Sequence, residues 1–452
     1  MLWRHLCLVR AWSAAGLLTG SLLATSATVR AEPGEPAPTG TGGTTEIVSV
    51  LDAQKAGDLK VEARGAGEDR VKITLTNTSA TRLRVVLPPG LVASSVAAQG
   101  RGGGGGGFQS MGLGSASNHA GAFGAFRGNG SSESGFRSVA VSQANADDAV
   151  AVPAGKSVVL TVTSVCLNFG VRTPAARDSF TIVDVDDYTT DPRARKALRS
   201  LATYGTSHGV AQSVMWRVSN DVSFAVMAEQ AAKAINPREI ALAARFVEAL
   251  DASGSTELVD PSYLREGRLF VRVVGEGALQ ADGQRLAREL EGLRILGLPV
   301  RVVDDRETAG AAAPAVLLYV VLTSSQAGET KARVVLSQND GSGRWSPLGK
   351  TTLTAGSAAS VLDGAGLAEA LDHSIAAAFV TVKTARRGTG TTTLKVDNRL
   401  PFTLANLTLK TGLSAGAPTV AFKGLGIAPS RSALVPVEAP SATLHHVEFN
   451  GL

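Results

Sequence analysis

A single cysteine is expected in the mature chain, and this feature limits most strongly how such a chain can be held together. Only Cys7 and Cys166 are cysteines among the 452 residues, and Cys7 lies in a segment that we expect to be cleaved. The thiol that remains can close no internal disulfide, in a compartment where disulfides are otherwise common. Hydrophobic cores must therefore hold the domains, and the chain is long enough to build several.

The first 31 residues have the order of a secretory signal peptide. Two arginines give a positive start, an apolar run follows over 14–24, and Val29 and Ala31 place small residues where a signal peptidase reads. This order predicts cleavage near Ala31. A membrane anchor is the alternative, but the run is shorter than the ~20 apolar residues that a span requires. We expect a secreted, periplasmic or cell-envelope protein with no transmembrane segment after cleavage.

The charge of the chain argues against a nucleic-acid partner. The whole chain has 44 basic and 39 acidic residues. Removing the three arginines of residues 1–31 leaves 41 against 39, a net charge of +2. No basic run interleaved with aromatic side chains occurs, so we predict a protein or cell-surface partner instead.

Composition and periodicity divide the chain into units. Residues 32–45 are rich in Pro, Gly and Thr and are predicted to be a disordered linker. Alternating apolar residues and turn signals predict strands, and Asp191-Pro192 and Asn236-Pro237 predict helix starts. The predicted units are a β-sandwich over 46–224, with a glycine-rich surface loop over 99–138 and a helical insert over 191–218; a helical connector over 225–265; an α+β domain over 266–386; and a C-terminal β-sandwich over 387–452.

Two β-units repeat a pattern. VKITLTNTSATRLRVVL resembles TTLKVDNRLPFTLANLTL, and VPAGKSVVLTV resembles IAPSRSALVPV. We therefore expect a mainly β fold in which two immunoglobulin-like sandwiches flank a small α+β (βαββββα) unit. The alternative is that any two β-hairpins look alike at this level of detail.

Cys166 and Gln212 form the sharpest candidate site. VCLN, a helical stretch and then QSVMW resemble the thioester-type β-sandwich domains of bacterial surface proteins, which pair a cysteine with a glutamine in a Gln-x-Ala-apolar-Trp pattern. Val214 stands where alanine is usual. The resemblance implies that Cys166 is the thiol and Gln212 the acyl donor of an internal thioester. The alternative is a buried free cysteine that packs as a small apolar residue beside Trp216.

Other polar groups give weaker signals. Asp184 and Asp186 share one face of a predicted strand and Asp187 the other, which is more typical of a solvated strand end than of a calcium loop. The six histidines are dispersed and lack the spacing of a zinc hydrolase, so no metal site is predicted. The hexaglycine run at 102–107 lacks the Gly-Lys-Ser/Thr of a P-loop, and no cofactor is predicted.

Three functions remain open. The first is a non-enzymatic binding or structural protein of the secreted or envelope class, with no catalytic residues. The second is a surface adhesin with a Cys166–Gln212 thioester. The third is an enzyme whose site lies in the cleft between the α+β unit and a sandwich, which would require several polar residues to converge in one pocket.

Overall fold

The computed structural model describes residues 46–95, 108–114, 135–304, 314–324, 330–339, 344–354, 363–412 and 416–452. The strands are β1 (Ile47–Ser49), β2 (Leu59–Gly65), β3 (Arg70–Asn77), β4 (Leu83–Val86), β5 (Leu91–Ser94), β6 (Met111–Leu113), β7 (Val150–Val152), β8 (Ser157–Cys166), β9 (Ser179–Asp184), β10 (Leu269–Gly275), β11 (Arg294–Ile295), β12 (Leu298–Val302), β13 (Ala315–Ser324), β14 (Thr330–Asn339), β15 (Trp345–Thr354), β16 (Val380–Arg387), β17 (Thr392–Asn398), β18 (Leu404–Lys410), β19 (Thr419–Ile427), β20 (Ser432–Val437) and β21 (Thr443–Phe449). The helices are α1 (Val50–Lys55), α2 (Val185–Tyr188), α3 (Pro192–Tyr204), α4 (His208–Asn220), α5 (Phe224–Gln230), α6 (Pro237–Ala252), α7 (Pro261–Arg265), α8 (Gln280–Leu290) and α9 (Gly364–Phe379). The expected mainly β class is confirmed.

The first β-unit is a closed barrel with the strand order β2-β3-β8-β6-β5-β9. Alternate residues of β3 point inward, so Val71, Ile73 and Leu75 are buried while Lys72 is exposed. The ring closes where β9 pairs with β2 at Ala63. The structure thus has one closed ring where an immunoglobulin-like sandwich would have two separate sheets. A second sheet, β1-β4-β7, lies in the same part of the chain.

Strand β6 explains why the ring closes. It joins β5 to β8, pairing Met111 with Cys166, and both Met111 and Leu113 are fully buried. The prediction of a surface loop over 99–138 was therefore wrong for these residues, and also for the buried Phe136. Glycine richness indicates chain flexibility, but three residues are enough to complete a ladder when they lie between two open strand edges. Residues 99–107 and 115–134 of that loop lie outside the described residues.

The helices that follow the barrel begin at capping side chains. Asp191 accepts a hydrogen bond from the main-chain N–H of Arg193 at the start of α3. Asn236 and Glu239 form a reciprocal capping box at the start of α6, which satisfies main-chain donors that a helix start leaves free. Among the helices of the described chain, none combines the length and the apolar character that a membrane crossing requires.

The described elements from β10 to α9 form a six-stranded mixed sheet with two helices, α8 and α9. Its order is β11-β12-β10-β13-β14-β15, with β10 parallel to both β12 and β13. The following β-unit has two three-stranded sheets, β16-β17-β20 and β19-β18-β21. Strand β16 begins at the residue after α9 ends, so the chain passes from one unit to the next without a linker.

A buried asparagine organises the corner after β3. Asn77 donates from Nδ2 to the carbonyls of Thr81 at 2.7 Å and Val152 at 2.9 Å. Its Oδ1 accepts from the main-chain N–H of Ser79 at 2.9 Å, and its own N–H donates to the carbonyl of Lys156. The side chain therefore ties the turn to two later parts of the barrel unit.

The corner after β17 is built in the same way. Asn398 donates from Nδ2 to the carbonyl of Phe402, four residues on, and to that of Ile427. Its Oδ1 accepts from the N–H of Leu400, and its own N–H donates to the carbonyl of Arg431. The repeat seen in the sequence thus corresponds to a shared hydrogen-bonded corner.

One group of buried apolar side chains connects the later units. In β5, Leu91 and Ala93 face the barrel interior, while Val92 faces the other way and joins this shared core. The shared core continues through the helices, the six-stranded sheet and the C-terminal sheets to Leu452. The units are therefore packed on one another through apolar contacts.

Candidate functional site

Cys166 and Gln212 are brought together by the packing of α4 against β8. The main-chain N–H of Cys166 donates to Gln212 Oε1 at 2.8 Å, and Gln212 Nε2 donates to the Cys166 carbonyl at 2.9 Å. Both residues are buried. The glutamine carboxamide thus acts as the ladder partner that Cys166, at the end of its strand, would otherwise lack on that side.

The thiol of Cys166 points to a different partner. Its Sγ lies 3.4 Å from the carbonyl oxygen of Glu68, to which it donates. Burial, followed by the charges of Glu68 and Asp69, raises the pKa of this thiol to about 12. Near neutral pH the group is therefore protonated, and only the thiolate is a strong nucleophile.

Polar groups that the sequence analysis did not select surround this pair. His208, the first residue of α4, lies 3.0 Å from the Ser164 carbonyl through Nε2, and burial lowers the pKa of its imidazole. Glu239 accepts a hydrogen bond of 2.8 Å from Ser207, the capping residue of α4, and burial raises the pKa of that carboxyl. His208 therefore links α4 to β8, and Glu239 links the start of α4 to α6.

Trp216 lies one helical turn beyond Gln212. Its ring packs edge-to-face on Phe169, with the ring centroids 5.1 Å apart. Trp216 also packs against the apolar group of the barrel, in which Cys166 is included. The tryptophan of the motif therefore contributes to the packing beside the cysteine.

The three aspartates separate at a helix start. Strand β9 ends at Asp184, whose side chain accepts from the N–H of Asp186 and caps α2, so the predicted strand through Asp187 was wrong. Arg199 donates to Asp184 at 2.8 Å and to Asp186 at 2.7 Å. The hydrogen bond from Arg199 is the main cause that lowers the pKa of Asp186. The carboxylates of Asp184 and Asp186 thus accept hydrogen bonds from the guanidinium group of Arg199.

Three histidines, one from α9 and an adjacent pair from β21, line one cleft. Helix α9 and strand β21 form the walls of a cavity of about 470 Å³, to which His373, His445 and His446 contribute. His446 Nδ1 lies 3.5 Å from Asp372 Oδ2, and its Nε2 lies 3.2 Å from Glu448 Oε1. No local pattern indicates this cleft, because its histidines lie on two elements far apart in the chain.

No group of three or more His, Cys, Asp or Glu side chains in the described ranges has an arrangement that could hold a metal ion. The sequence matches no protein-family model and no curated protein.

Proposed function

We propose that the protein is a secreted or cell-envelope protein that binds a protein or a cell-surface component and acts as a rigid scaffold. The observation that supports this best is the continuous apolar core that runs from Val92 to Leu452. Units that share a core move as one body, whereas units joined by linkers move independently. A protein whose surfaces are held at fixed distances from one another is suited to displaying or binding a partner. We propose further that the two C-terminal sheets pack as an immunoglobulin-like sandwich.

Location is tested by fractionating the producing cells and measuring the intact mass of the protein. The proposal expects a chain that begins near residue 32 in an extracytoplasmic fraction. An uncleaved chain that stays in the cytoplasmic fraction would overturn it.

Rigidity is tested by calorimetry of the mature protein. Phe402 is buried in the shared core and packs on Phe449, with ring centroids 6.2 Å apart. Phe402→Ala is expected to lower the free energy of unfolding by about 3–5 kcal/mol. It should also lower the melting temperature of the whole shared core. A separate unfolding transition at lower temperature, confined to the C-terminal sheets, would contradict the proposal of one rigid body.

A second candidate is covalent adhesion through a Cys166–Gln212 thioester. It is favoured by the direct contact between the two residues, which lie on different elements. In this reaction the thiol sulfur attacks the carboxamide carbon of Gln212. The new S–C bond replaces the C–N bond, and the thiol proton leaves with the nitrogen as ammonia. A partner amine would then take the acyl group and release the thiol.

Intact mass distinguishes this candidate from a free thiol. A mass lower by one ammonia, with Cys166 unlabelled by a thiol reagent even after denaturation, would support the thioester. The matched variant Gln212→Ala should then show the full mass for its sequence and a labelled thiol. Full mass and labelling of the denatured native protein would exclude the bond.

A third candidate is an enzyme at the histidine-lined cleft, which lies between the predicted α+β unit and the C-terminal β-unit. The convergence of His373, His445 and His446 with Asp372 favours it. The test is turnover of a panel of chromogenic esters and phosphoesters by the native protein and by His446→Gln. Turnover that His446→Gln abolishes would support it, and turnover equal in both proteins, or none, would count against it.

A further inference from the structure

A separate cavity, of about 330 Å³, opens where four parts of the fold meet. Its walls include Arg137, from the segment between β6 and β7; Arg265, at the end of α7; Arg294, in β11; and Lys423, in β19. We propose that this cavity binds a small, multiply charged oxyanion, such as a phosphate or sulfate ester of a small organic molecule. The proposal names a ligand class for the binding protein proposed above and in that respect rests on it.

The lining has an excess of positive charge. Among the described lining residues, four cationic side chains face one carboxylate, that of Glu448. This carboxylate already accepts a hydrogen bond of 2.8 Å from Asn406 and contacts His446. A concave surface of one sign concentrates the field and attracts ions of the opposite sign.

The residues that the structure describes leave part of this positive charge without a neutralising partner, although Arg265 interacts electrostatically with Glu448. Within the described ranges, neither Arg265 nor Lys423 forms an ion pair. Arg294 donates to the carbonyl of Gly297 at 3.2 Å. Arg137 has an acidic partner, Asp148, but at 3.8 Å. Several donors are therefore available to an anion.

The fold holds Arg137 in place at the cavity. Residues 136 and 206 exchange two main-chain hydrogen bonds, of 2.8 and 3.1 Å, which fix the segment that carries it. Its aliphatic stem passes Gly205 and Gly424, whose φ angles of 75° and 68° are left-handed. A Cβ at Gly424 would overlap the Arg137 side chain. A cation that is positioned before binding loses less conformational entropy when a ligand arrives.

Size and donor chemistry restrict the ligand. The volume is at the lower end of the range of small-molecule sites, about 300–1,000 Å³. Guanidinium groups donate two parallel hydrogen bonds to phosphate, sulfate or carboxylate oxygens. Three guanidinium groups and an ammonium group around one small volume favour an anion with more than one negative charge.

The proposal is tested by titration calorimetry on the mature full-length protein. Pyrophosphate and inorganic sulfate are the primary probes, with sodium chloride at matched ionic strength as the blank. Phenyl phosphate and phenyl sulfate then show which ester the site prefers. Lys423→Gln and Arg265→Gln remove cations for which the described part of the chain shows no ion pair, and Lys72→Gln removes an exposed cation from the barrel as the matched control.

We expect saturable binding that Lys423→Gln and Arg265→Gln each weaken by about tenfold, while Lys72→Gln leaves it unchanged. Absence of saturable binding, or equal weakening by all three variants, would overturn the proposal. If the protein is exported and cleaved near residue 31 but binds no oxyanion, this inference is wrong and the proposed location stands. If the protein stays uncleaved in the cytoplasm but binds oxyanions, the proposed location is wrong and the oxyanion site stands.

Discussion

Asn77 and Asn398 make the same hydrogen bonds at the ends of two strands in different β-units. Each donates from its carboxamide to the carbonyl four residues on and accepts from the N–H two residues on. Each main-chain N–H also reaches the residue that precedes a later strand. Both side chains are buried, so each corner depends on one amide.

Replacing either asparagine by alanine should destabilise the protein by about 2–4 kcal/mol. The reason is that Asn77→Ala or Asn398→Ala leaves several buried main-chain groups without a partner. Urea unfolding followed by circular dichroism measures the change. Asn145 accepts from the N–H two residues on but is exposed, so Asn145→Ala is the control and should change the stability by about 0.5 kcal/mol or less. Equal effects at all three positions would contradict the shared-corner interpretation.

Gln212→Leu should destabilise the protein by about 2–4 kcal/mol. The substitution removes the partner of both the N–H and the carbonyl of Cys166, in a buried position. The free energy of unfolding in urea gives the measurement. Gln54→Leu, at an exposed position on α1, is the matched control. If the two variants were equally stable, the amide of Gln212 would not contribute to the packing of α4.

The stability should fall as the pH rises above about 9, and part of this fall should come from Cys166. Burial raises the pKa of its thiol from the ordinary value of 9.0 to about 12. Between these values the unfolded chain loses the proton first, so the unfolded state binds fewer protons and becomes relatively favoured. Urea midpoints from pH 8 to about 10.5 measure this slope. Cys166→Ala should show a shallower slope, and identical slopes would contradict the buried, protonated thiol.

Asp186→Asn should lower the stability only while the carboxylate is charged. The hydrogen bond from Arg199 is the largest cause that lowers the pKa of Asp186 from its ordinary 3.8. Its contribution is present above that ordinary pKa and is lost as the pH falls through the folded value. Because the side chain is half exposed, we expect less than about 1 kcal/mol near pH 7 and no difference near pH 2. Asp187→Asn, on the same helix, is the control and should change less.

Periodicity alone predicted the elements with strong local signals. Leu269–Gly275 and Ala315–Ser324 are apolar runs of strand length, and Asn236-Pro237 begins a helix with a capping side chain. These features depend on neighbouring residues, so one sequence is enough to detect them. The repeat around Asn77 and Asn398 was also visible, although its hydrogen bonds were not.

The candidate site was predictable only in part. The resemblance to thioester-type domains pointed to Cys166 and Gln212, and the structure brings them into contact. The sequence could not show that the carboxamide bonds the main chain of Cys166 while the thiol bonds Glu68. The direction of a buried side chain depends on the elements that pack around it, which no local pattern contains.

The sequence by itself determined the strands and helices that carry strong local signals, the lack of any disulfide in a cleaved chain and the near balance of charge. Tertiary structure alone decided that Met111–Leu113 completes a barrel, that three histidines share a cleft, and that four cations from separate elements line one cavity. The physical reason is the distance along the chain over which each effect acts. Propensity, capping and alternation act over a few residues, whereas ring closure and charge clustering depend on residues that become neighbours only when the core forms.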